Sequence, residues 1–581
     1  MKRAFRSALC TAAFMEFTQI SALLIDGMII CKCLGVEEIA AVGIAAPFFY
    51  FVGIISTGLA YALQTVCSKA LGRGQIGEMN RIANETLLFA GIISVLFTVI
   101  MYLTAVPMAA LFGARGNAKD ILPLTVYYLQ GLTFEIVPYV LLSVLSPVVI
   151  LDNGSRTAVA SSITGAVSNV VFDIVSVQLN GGIRGIGLAT SASAAMSFLV
   201  LMTHFLKKNK LLHLRLVRIQ WKDIKEILKL SGPKALHQTS GAFRPIILHA
   251  LTVSAGGSIA MSVMSIRESL SDYVDIPAVG ISGALGLLVG IEYGEQSGEE
   301  IEKVSVLAHR SIILVSSIIT VILLVSSRLI AGFYLGAENT ALPLMIFAIG
   351  SIAVETFFRE LIFSRISFLQ ATEKVHDAQL LELASNFISP LVCAFLLSIP
   401  FGIYGIYAAF PVSQIIVLAV IILINAKKTK RFRLTMKEYL HLDESLFHKP
   451  GDIITYRFET PEHCSLASEQ TVMFCRGHKM DTRRAMQAGL CVEEITTNIL
   501  EHGFVKKGKH NNAEIRITIS DGVLIIRVRD NGAEFDISAM ARIVSDSKDP
   551  SHNIGTKLIC KSAKDISYYH IWGMNTTILK V

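Results

Sequence analysis

Three groups of residues in this 581-residue chain have the types and spacing to do chemistry. Glu494 and Asn498, in "EEITTNILEHG", lie four apart and put a carboxylate and an amide on one helix face, a pairing that a metal–nucleotide site can use. Asp26 sits in the middle of the apolar run "SALLIDGMII", and Asn169 and Asp173 again share a helix face in "NVVFDIV". The third group is a set of charges in otherwise apolar surroundings. "HQTSGAFRPIILH" brings His237, Arg244 and His249, "RESLSDYVD" brings Arg267, Glu268, Asp272 and Asp275, and "ETFFRELIFSR" brings Glu355, Arg359, Glu360 and Arg365. An ionisable residue inside a membrane span is costly and is a functional candidate by default. Facing lipid, these charges would be prohibitive. They are therefore expected to face a bundle interior or pair with one another, as a polar, zwitterionic or anionic substrate surface or as ion pairs that seal a gate.

The elements that carry these residues follow from hydropathy. The chain is 52% hydrophobic and only 17% charged, against about a quarter charged in soluble domains. The deficit ends near residue 426, after which the sequence reads as an ordinary soluble one. A spanning helix needs about 20 mainly apolar residues, and runs of that kind between residues 8 and 425 predict twelve transmembrane helices in two six-helix halves. The expected layout is 1–206 for the first half, 207–229 for a basic linker, 230–426 for the second half, 427–444 for a second basic linker and 445–581 for a soluble domain. Lys and Arg concentrate in both linkers and in the loop holding Lys69, Arg73 and Arg81, which places the N- and C-termini in the cytoplasm. The basic start followed by a long apolar run reads as a first span rather than a cleaved signal. The nine cysteines show no zinc-site spacing.

The halves echo each other. "GGIRGIGLA" matches "FGIYGIYAA" with Gly182 and Gly402 220 apart, and "GRGQIGE" matches "YGEQSGE" with Gly74 and Gly294 220 apart. Asn169 and Asn386, 217 apart, are expected to open the fifth span of each half. An internal repeat of six spans suggests a transporter with a central site between halves. In the tail, "DIITYRFE" alternates as a strand and "SLASEQTVMFCRGH" reads as a helix. Asp481 or Thr482 can cap a helix running to His502 with Gly503 as its stop. "AEIRITIS-DG-VLIIRVRD" reads as a hairpin and "NTTILKV" as a last strand. Helices beside an antiparallel sheet make an α+β sandwich.

The segments "IDGMIICKCLGVEEIAAVGIAAPFFYFVGI", "KALGRGQIGEMNRIANETL" and "DNGSRTAVASSITGAVSNVVFDIV" resemble the multidrug and toxic compound extrusion (MATE) family. The resemblance implies secondary efflux of small organic, often cationic, compounds by H⁺ or Na⁺ antiport, with Asp26, Asn169 and Asp173 binding the coupling cation. The second-half charges depart from that pattern. In the tail, Glu494 and Asn498, then Asp530 and Gly532 in "RDNGAEFD", then Gly555 in "NIGTKLI" follow one another in an order similar to GHKL-type ATPases, especially serine kinases of the anti-sigma-factor type. That likeness implies an ATP-binding domain. Asn498 would coordinate Mg²⁺, Glu494 would activate the attacking group, and Asp530 would read the adenine amino group. Gly532 and Gly555 would admit the nucleotide, with Gly555, Thr556 and Lys557 near its phosphates. The third box lacks a fuller glycine-leucine run and the lid, about 538–553, is short.

Together these features predict a carrier for a small-molecule substrate in the lipid bilayer of a bacterial inner membrane, with a cytoplasmic nucleotide-binding regulatory domain and an anti-anti-sigma-like protein partner. No nucleic-acid partner is expected. The alternative is a membrane-tethered serine/threonine protein kinase whose spans act as sensor. An ATP-driven pump is disfavoured because the chain has no GxxxxGK[ST] loop.

Overall fold

The computed structural model describes residues 2–112, 114, 121–207, 210–335, 340–429, 439–440, 452–504, 513–520, 523–537, 559, 561–571 and 573–581. The chain divides into two compact units, the second comprising Ala70–Glu78, Gln296–Gly298 and Asp443–Val581. In the first unit, α1 (Lys2–Cys33), α2 (Val36–Ala45), α3 (Pro47–Gly72), α4 (Ile76–Leu103), α5 (Ala105–Phe112), α6 (Leu122–Leu132), α7 (Ile136–Leu151), α8 (Ser155–Gln178) and α9 (Gly182–Met202) form the first half. The second half holds α10 (Trp221–Gly294), α11 (Gly298–Leu335), α12 (Leu342–Ala371), α13 (Val375–Leu383) and α14 (Ser389–Thr429).

Among the described residues, 10 helical runs are long and apolar enough to cross a membrane. Two of them are far longer than one crossing needs, Trp221–Gly294 at 74 residues and Val375–Lys427 at 53. Each breaks at a glycine in a conformation that side-chain-bearing residues rarely adopt, Gly257 (φ 65°, ψ −158°) and Gly402 (φ 56°, ψ −134°). Two helices meet at each of these corners.

The repeat is written in the backbone. Left-handed residues fall in pairs: Gly182 and Gly402 at φ 57° and 56°, and Asn153 and Glu373, also 220 apart, at φ 56° and 60°. Gly74 and Gln296, 222 apart, add a third pair at φ 69° and 54°. Asn169 and Asn386 do not open their spans. Those helices begin earlier, at Ser155 and Val375, so the two asparagines lie well inside them. The serine- and threonine-rich start of α8 stays helical because its hydroxyls bond within the bundle, as when Ser161 Oγ donates to Ser197 O at 2.6 Å.

The connection between halves is extended until α10 starts, inside the basic stretch, at Trp221. Side chains hold it as a neighbouring strand would. Asn80 donates to Leu211 O (2.7 Å) and accepts from His213 N (2.6 Å), while Asn84 donates to His213 O (2.8 Å) and accepts from Arg215 N (2.9 Å). Asp152 accepts from Leu211 N at 2.7 Å and pairs with His204 Nε2 at 2.8 Å. Extended backbone otherwise unpaired is thus satisfied without a sheet.

The second unit holds a five-stranded antiparallel sheet in the order β1-β2-β3-β5-β4, from β1 (Ile453–Arg457), β2 (Ala513–Ser520), β3 (Val523–Asp530), β4 (Asp565–Ile571) and β5 (Met574–Lys580). Ile515, Ile517, Ile526, Val528 and Leu579 line one core with Ala467 of α15 (Pro461–Gly477) and Val492 of α16 (Thr482–Asn498). Asp481 caps α16, accepting from Arg483 N at 3.1 Å and Arg484 N at 3.4 Å, a contact worth about 1 kcal/mol. The helix does not run on as α to His502. It passes into a π-turn, Ile499–Gly503. Strand β4 was not anticipated from sequence. The hairpin turn at 521–522, most of the basic linker and the lid lie outside the described residues.

In the first half α6 and α9 cross closely at two glycines. A Cβ on Gly131 would meet Arg184 O at 2.6 Å, and one on Gly187 would meet Tyr128 O at 2.7 Å. Backbone cannot yield as a flexible side chain can, so Gly187→Val forces the helices apart. The expected loss is about 1–3 kcal/mol, seen as a lower unfolding temperature of the full-length protein in detergent. An unchanged midpoint would refute the tight crossing.

Candidate functional site

In the first half, α1 and α8 bring the expected cation-coupling residues together. Asp26 (5% exposed), Asn169 (6%) and Asp173 (0%) are all buried. The carboxyls of Asp26 and Asp173 face each other at hydrogen-bonding range. Asp26 Oδ1 and both Asp173 oxygens find no donor among the described residues. Two ionised carboxylates are acceptors only, so the contact requires a proton or a bound cation between them. Sequence reasoning missed two further members. Glu135, in the tight turn joining α6 to α7, lies within electrostatic reach of Asp26 and leaves Oε2 without a donor among the described residues. Tyr128 is buried within electrostatic reach of all three acids, with its hydroxyl unpartnered among the described residues. Buried polar atoms are normally satisfied, and this set of oxygens suits a hard cation or a proton. No intramembrane charge distinguishes Tyr128 in sequence. Glu135, in "LTFEIVP", carried the same signal as Asp26 and could have been found.

The second-half charges converge on one cavity of about 620 Å³ that His237, Arg244, Glu268, Asp272, Asp275, Glu355 and Arg359 all line. Most are matched. Arg267 pairs with Glu355 and stacks on Phe410 at 3.5 Å, and Arg359 pairs with Asp275 and reaches Glu355 at 3.3 Å. His249 pairs with Glu268 at 3.0 Å. His237 pairs at 2.6 Å with Glu382, a buried acid of α13 that the sequence reading passed over. A π-turn at Ala384–Ile388 loosens the helix here, and Asn386 O accepts from Arg244 Nη1 at 3.3 Å. Structural pairing and a solute-sized cavity therefore coexist in the same residues.

In the second unit, Asn498 Nδ2 donates to Glu494 Oε1 at 3.0 Å, which turns the amide oxygen away from the acid. Asp530 ends β3, and its Oδ1 accepts from Gly532 N (2.8 Å) and Asn575 Nδ2 (2.7 Å). Burial pushes the Asp530 carboxyl up, and these two donors hold it down. Asn575 of β5, unforeseen from sequence, also accepts from Tyr568 OH at 2.8 Å. Gly532 is needed by the chain itself: its Cβ would lie 2.7 Å from Gly503 O, and Gly503 O accepts from Ala533 N at 2.8 Å. The first two motifs are thereby joined. Gly555, Thr556 and Lys557 lie outside the described residues.

The first unit thus has the architecture of a polytopic membrane protein, two helical halves with a buried acid cluster in the first and a charged cavity lined by the second together with Gly43, Ala46 and Tyr50 of the first. Its fold is that of the MATE transporters, and residues 12–175 match the MatE family model. A solved MATE-family structure described as an outward-facing conformation superposes with a TM-score of 0.67 at 19% identity, covering 72% of this chain and 93% of that one. A Pyrococcus furiosus transporter, described as having a binding pocket of reverse polarity that suggests a different function, superposes with a TM-score of 0.68 at 18% identity, covering 74% and 96%. Among curated relatives, "Probable multidrug resistance protein YoeA" of Bacillus subtilis is 22% identical over 360 residues, 60% of this chain and 76% of that protein. "Probable multidrug resistance protein NorM" of Brucella suis is 22% identical over 359 residues, 59% and 75%.

The ion pairs make a stability prediction. Arg267 is 2% exposed. Glu355→Gln strips its partner and leaves a buried charge, at an expected cost of about 3–5 kcal/mol. Replacing both residues, Arg267→Met with Glu355→Met, should recover much of that loss. Thermal unfolding in detergent compares the two, and equal destabilisation would contradict the pairing.

Proposed function

We propose that the first unit is a secondary efflux carrier for small organic compounds, driven by H⁺ or Na⁺ antiport. The observation that carries this reading is the Asp26–Asp173 contact, two facing carboxyls that need a proton or a cation. The similarity to multidrug resistance proteins and the cavity of about 620 Å³ support it. Asp26, Asp173 and Asn169 hold the coupling ion, with Glu135 and Tyr128 completing the oxygen set. Loading the site neutralises one carboxyl and removes the repulsion between two, which gives the ion differential affinity for alternative packings of the half. We take the corners at Gly257 and Gly402 as loops between spans, which brings the count to twelve. The basic-residue bias then places both termini in the cytoplasm of a bacterial cell whose inner membrane holds the carrier.

The second unit, in the same reading, is a cytoplasmic nucleotide-binding domain that regulates the carrier. Asp530 is an acceptor for an exocyclic amino group, held ionised by Asn575 and the Gly532 amide. Asn498 presents an oxygen for Mg²⁺ beside Glu494. Mg²⁺ would shield phosphate charge; Gly555, Thr556 and Lys557 are the proposed phosphate contacts. Glu494 in hydrogen-bond contact with Asn498 also supports a second role, phosphoryl transfer to a serine or threonine of an anti-anti-sigma-like protein.

In proteoliposomes an imposed H⁺ or Na⁺ gradient should drive accumulation of a solute from a panel of fluorescent organic cations and zwitterions. Asp26→Asn and Asp173→Asn should each abolish it while the protein stays folded. Unchanged transport in both variants would overturn the coupling assignment. Separately, the full-length protein should bind Mg²⁺-ATP, and Asn498→Ala should weaken binding about tenfold or more (1.4 kcal/mol). A folded wild-type protein that binds none would remove the nucleotide reading.

A further inference from the structure

The five-stranded sheet of the second unit is buried on both faces. Helices α15 and α16 cover one. On the other, Arg516 (8% exposed), Arg527 (5%), Ile578 (3%) and Ser567 (7%) are buried as well. These four form a single row across the strands, since Arg516 pairs with Arg527, Arg527 with Ile578 and Ile578 with Ser567. Like charges directly opposite one another destabilise a sheet, and burial raises the cost. A face that sets Arg516 beside Arg527 is built to be covered by polar groups.

Two short segments of the same unit, Ala70–Glu78 and Gln296–Gly298, meet this row. At its β4 end, Ser567 Oγ donates to Gly74 O at 2.5 Å. A Cβ on Gly74 would lie 3.2 Å from that of Ser567 and 3.3 Å from Ile578 Cδ1, so the backbone of this turn lies directly on the sheet. At its β2 end, Arg516 Nη1 donates to Ser297 Oγ, and Ser297 is fully buried. Three strand spacings put the two attachments about 14 Å apart. The two segments are also the matching connections of the repeat. One joins α3 (ending at Gly72) to α4 (starting at Ile76), and the other joins α10 (ending at Gly294) to α11 (starting at Gly298). Gly74 and Gln296, 222 apart, share the left-handed conformation at φ 69° and 54°. One sheet face therefore holds the equivalent turn of each half.

Resting on the reading of the first unit as a carrier, we propose that this face is a clasp whose partner is the pair of repeat-related connections, α3–α4 and α10–α11, and that its hold restrains transport. Carriers built from repeats work by rocking one repeat against the other. A hydrogen-bonded sheet does not stretch, so two attachments at a fixed spacing fit one arrangement of the halves. Another arrangement requires that at least one connection be released. The clasped state is the resting one, and release speeds turnover. Both attachments include hydrogen bonds, whose net worth is small enough for them to open and close in a working cycle.

The test uses the full-length protein, in lipid nanodiscs for hydrogen exchange and in proteoliposomes for transport. Arg516→Ala should speed amide exchange in 296–298, and Ser567→Ala in 70–78, each by about two- to tenfold. Ser567→Thr keeps the donor and should leave 70–78 protected. The double alanine variant should open both segments and raise the initial rate of ion-driven transport by about twofold or more. Unchanged exchange at both segments, in single variants of wild-type melting temperature, refutes the clasp. Faster exchange with transport no faster than wild type refutes the restraint. Where the double variant has a lowered melting temperature, the single variants decide both points. If neither wild type nor variants move any solute, the carrier reading falls and the restraint with it, while exchange still decides whether the sheet holds the two connections.

Discussion

A charge inside an apolar bundle must be answered by something, and the first unit is arranged around two different answers. In the second half the answers are mostly internal. Arginines and histidines meet glutamates and aspartates, and Arg267 spreads its guanidinium over Phe410 as well. Such pairs gain little net stability over apolar side chains, because desolvation cancels most of the attraction. They fix which surfaces meet and leave a cavity walled by charges of both signs, five carboxylates and three guanidiniums. In the first half Asp26, Asp173 and Glu135 have no ion-pair partner among the described residues. Asp26 meets Asp173, and Glu135 and the Tyr128 phenol lie within electrostatic reach of Asp26.

This division is visible as a divergence between repeated halves. The backbone has kept the repeat closely, with left-handed residues paired at 182 and 402 and at 153 and 373. The chemistry has not. In the fifth span of the first half, Asn169 precedes Asp173 by one turn, and Asp173 meets another acid. In the matching place of the second half, Glu382 precedes Asn386 by one turn, and Glu382 meets His237. One half leaves its acid without an ion-pair partner among the described residues, and the other pairs its acid with its own imidazole. The repeated halves thus keep a common backbone and differ in how a buried acid at the matching position is answered.

Much of this was legible in sequence because hydropathy, repeats and intramembrane charges are local or periodic signals. Asp26 and Asp173 meet, Asn169 is buried one turn from Asp173, and nine of the eleven second-half charges line one cavity. Pairing was not legible. Which acid answers which arginine depends on helix rotation and on corners such as Gly257, which no window of composition registers. Glu382 sits in a polar segment, "HDAQLLELASN", that reads as the approach to a span, although it is fully buried. Asn575 escaped notice because a strand pattern reports which face a residue takes and not that its amide reaches 45 residues back to Asp530.

The tail shows how the same residue can be placed correctly for a different physical reason. Gly532 was singled out as a position where a ligand approaches the backbone. Its first constraint is the Gly503 carbonyl, which occupies the place a Cβ would need. That contact ties the end of the helix bearing Glu494 and Asn498 to the end of the strand bearing Asp530, so the two motifs hold a fixed spacing whether or not a ligand is bound. Asp530 then pays for its location. Burial raises its folded value above that of the unfolded chain, so the folded state holds its proton more tightly and loses stability as pH rises from the ordinary carboxylate range through that raised value. An N–H donor arriving at the carboxylate favours the ionised form, lowers the raised value and returns part of the lost stability. A buried acid at the end of a strand, pinned through one oxygen by a neighbouring amide, is therefore set to gain from a ligand that brings a hydrogen-bond donor.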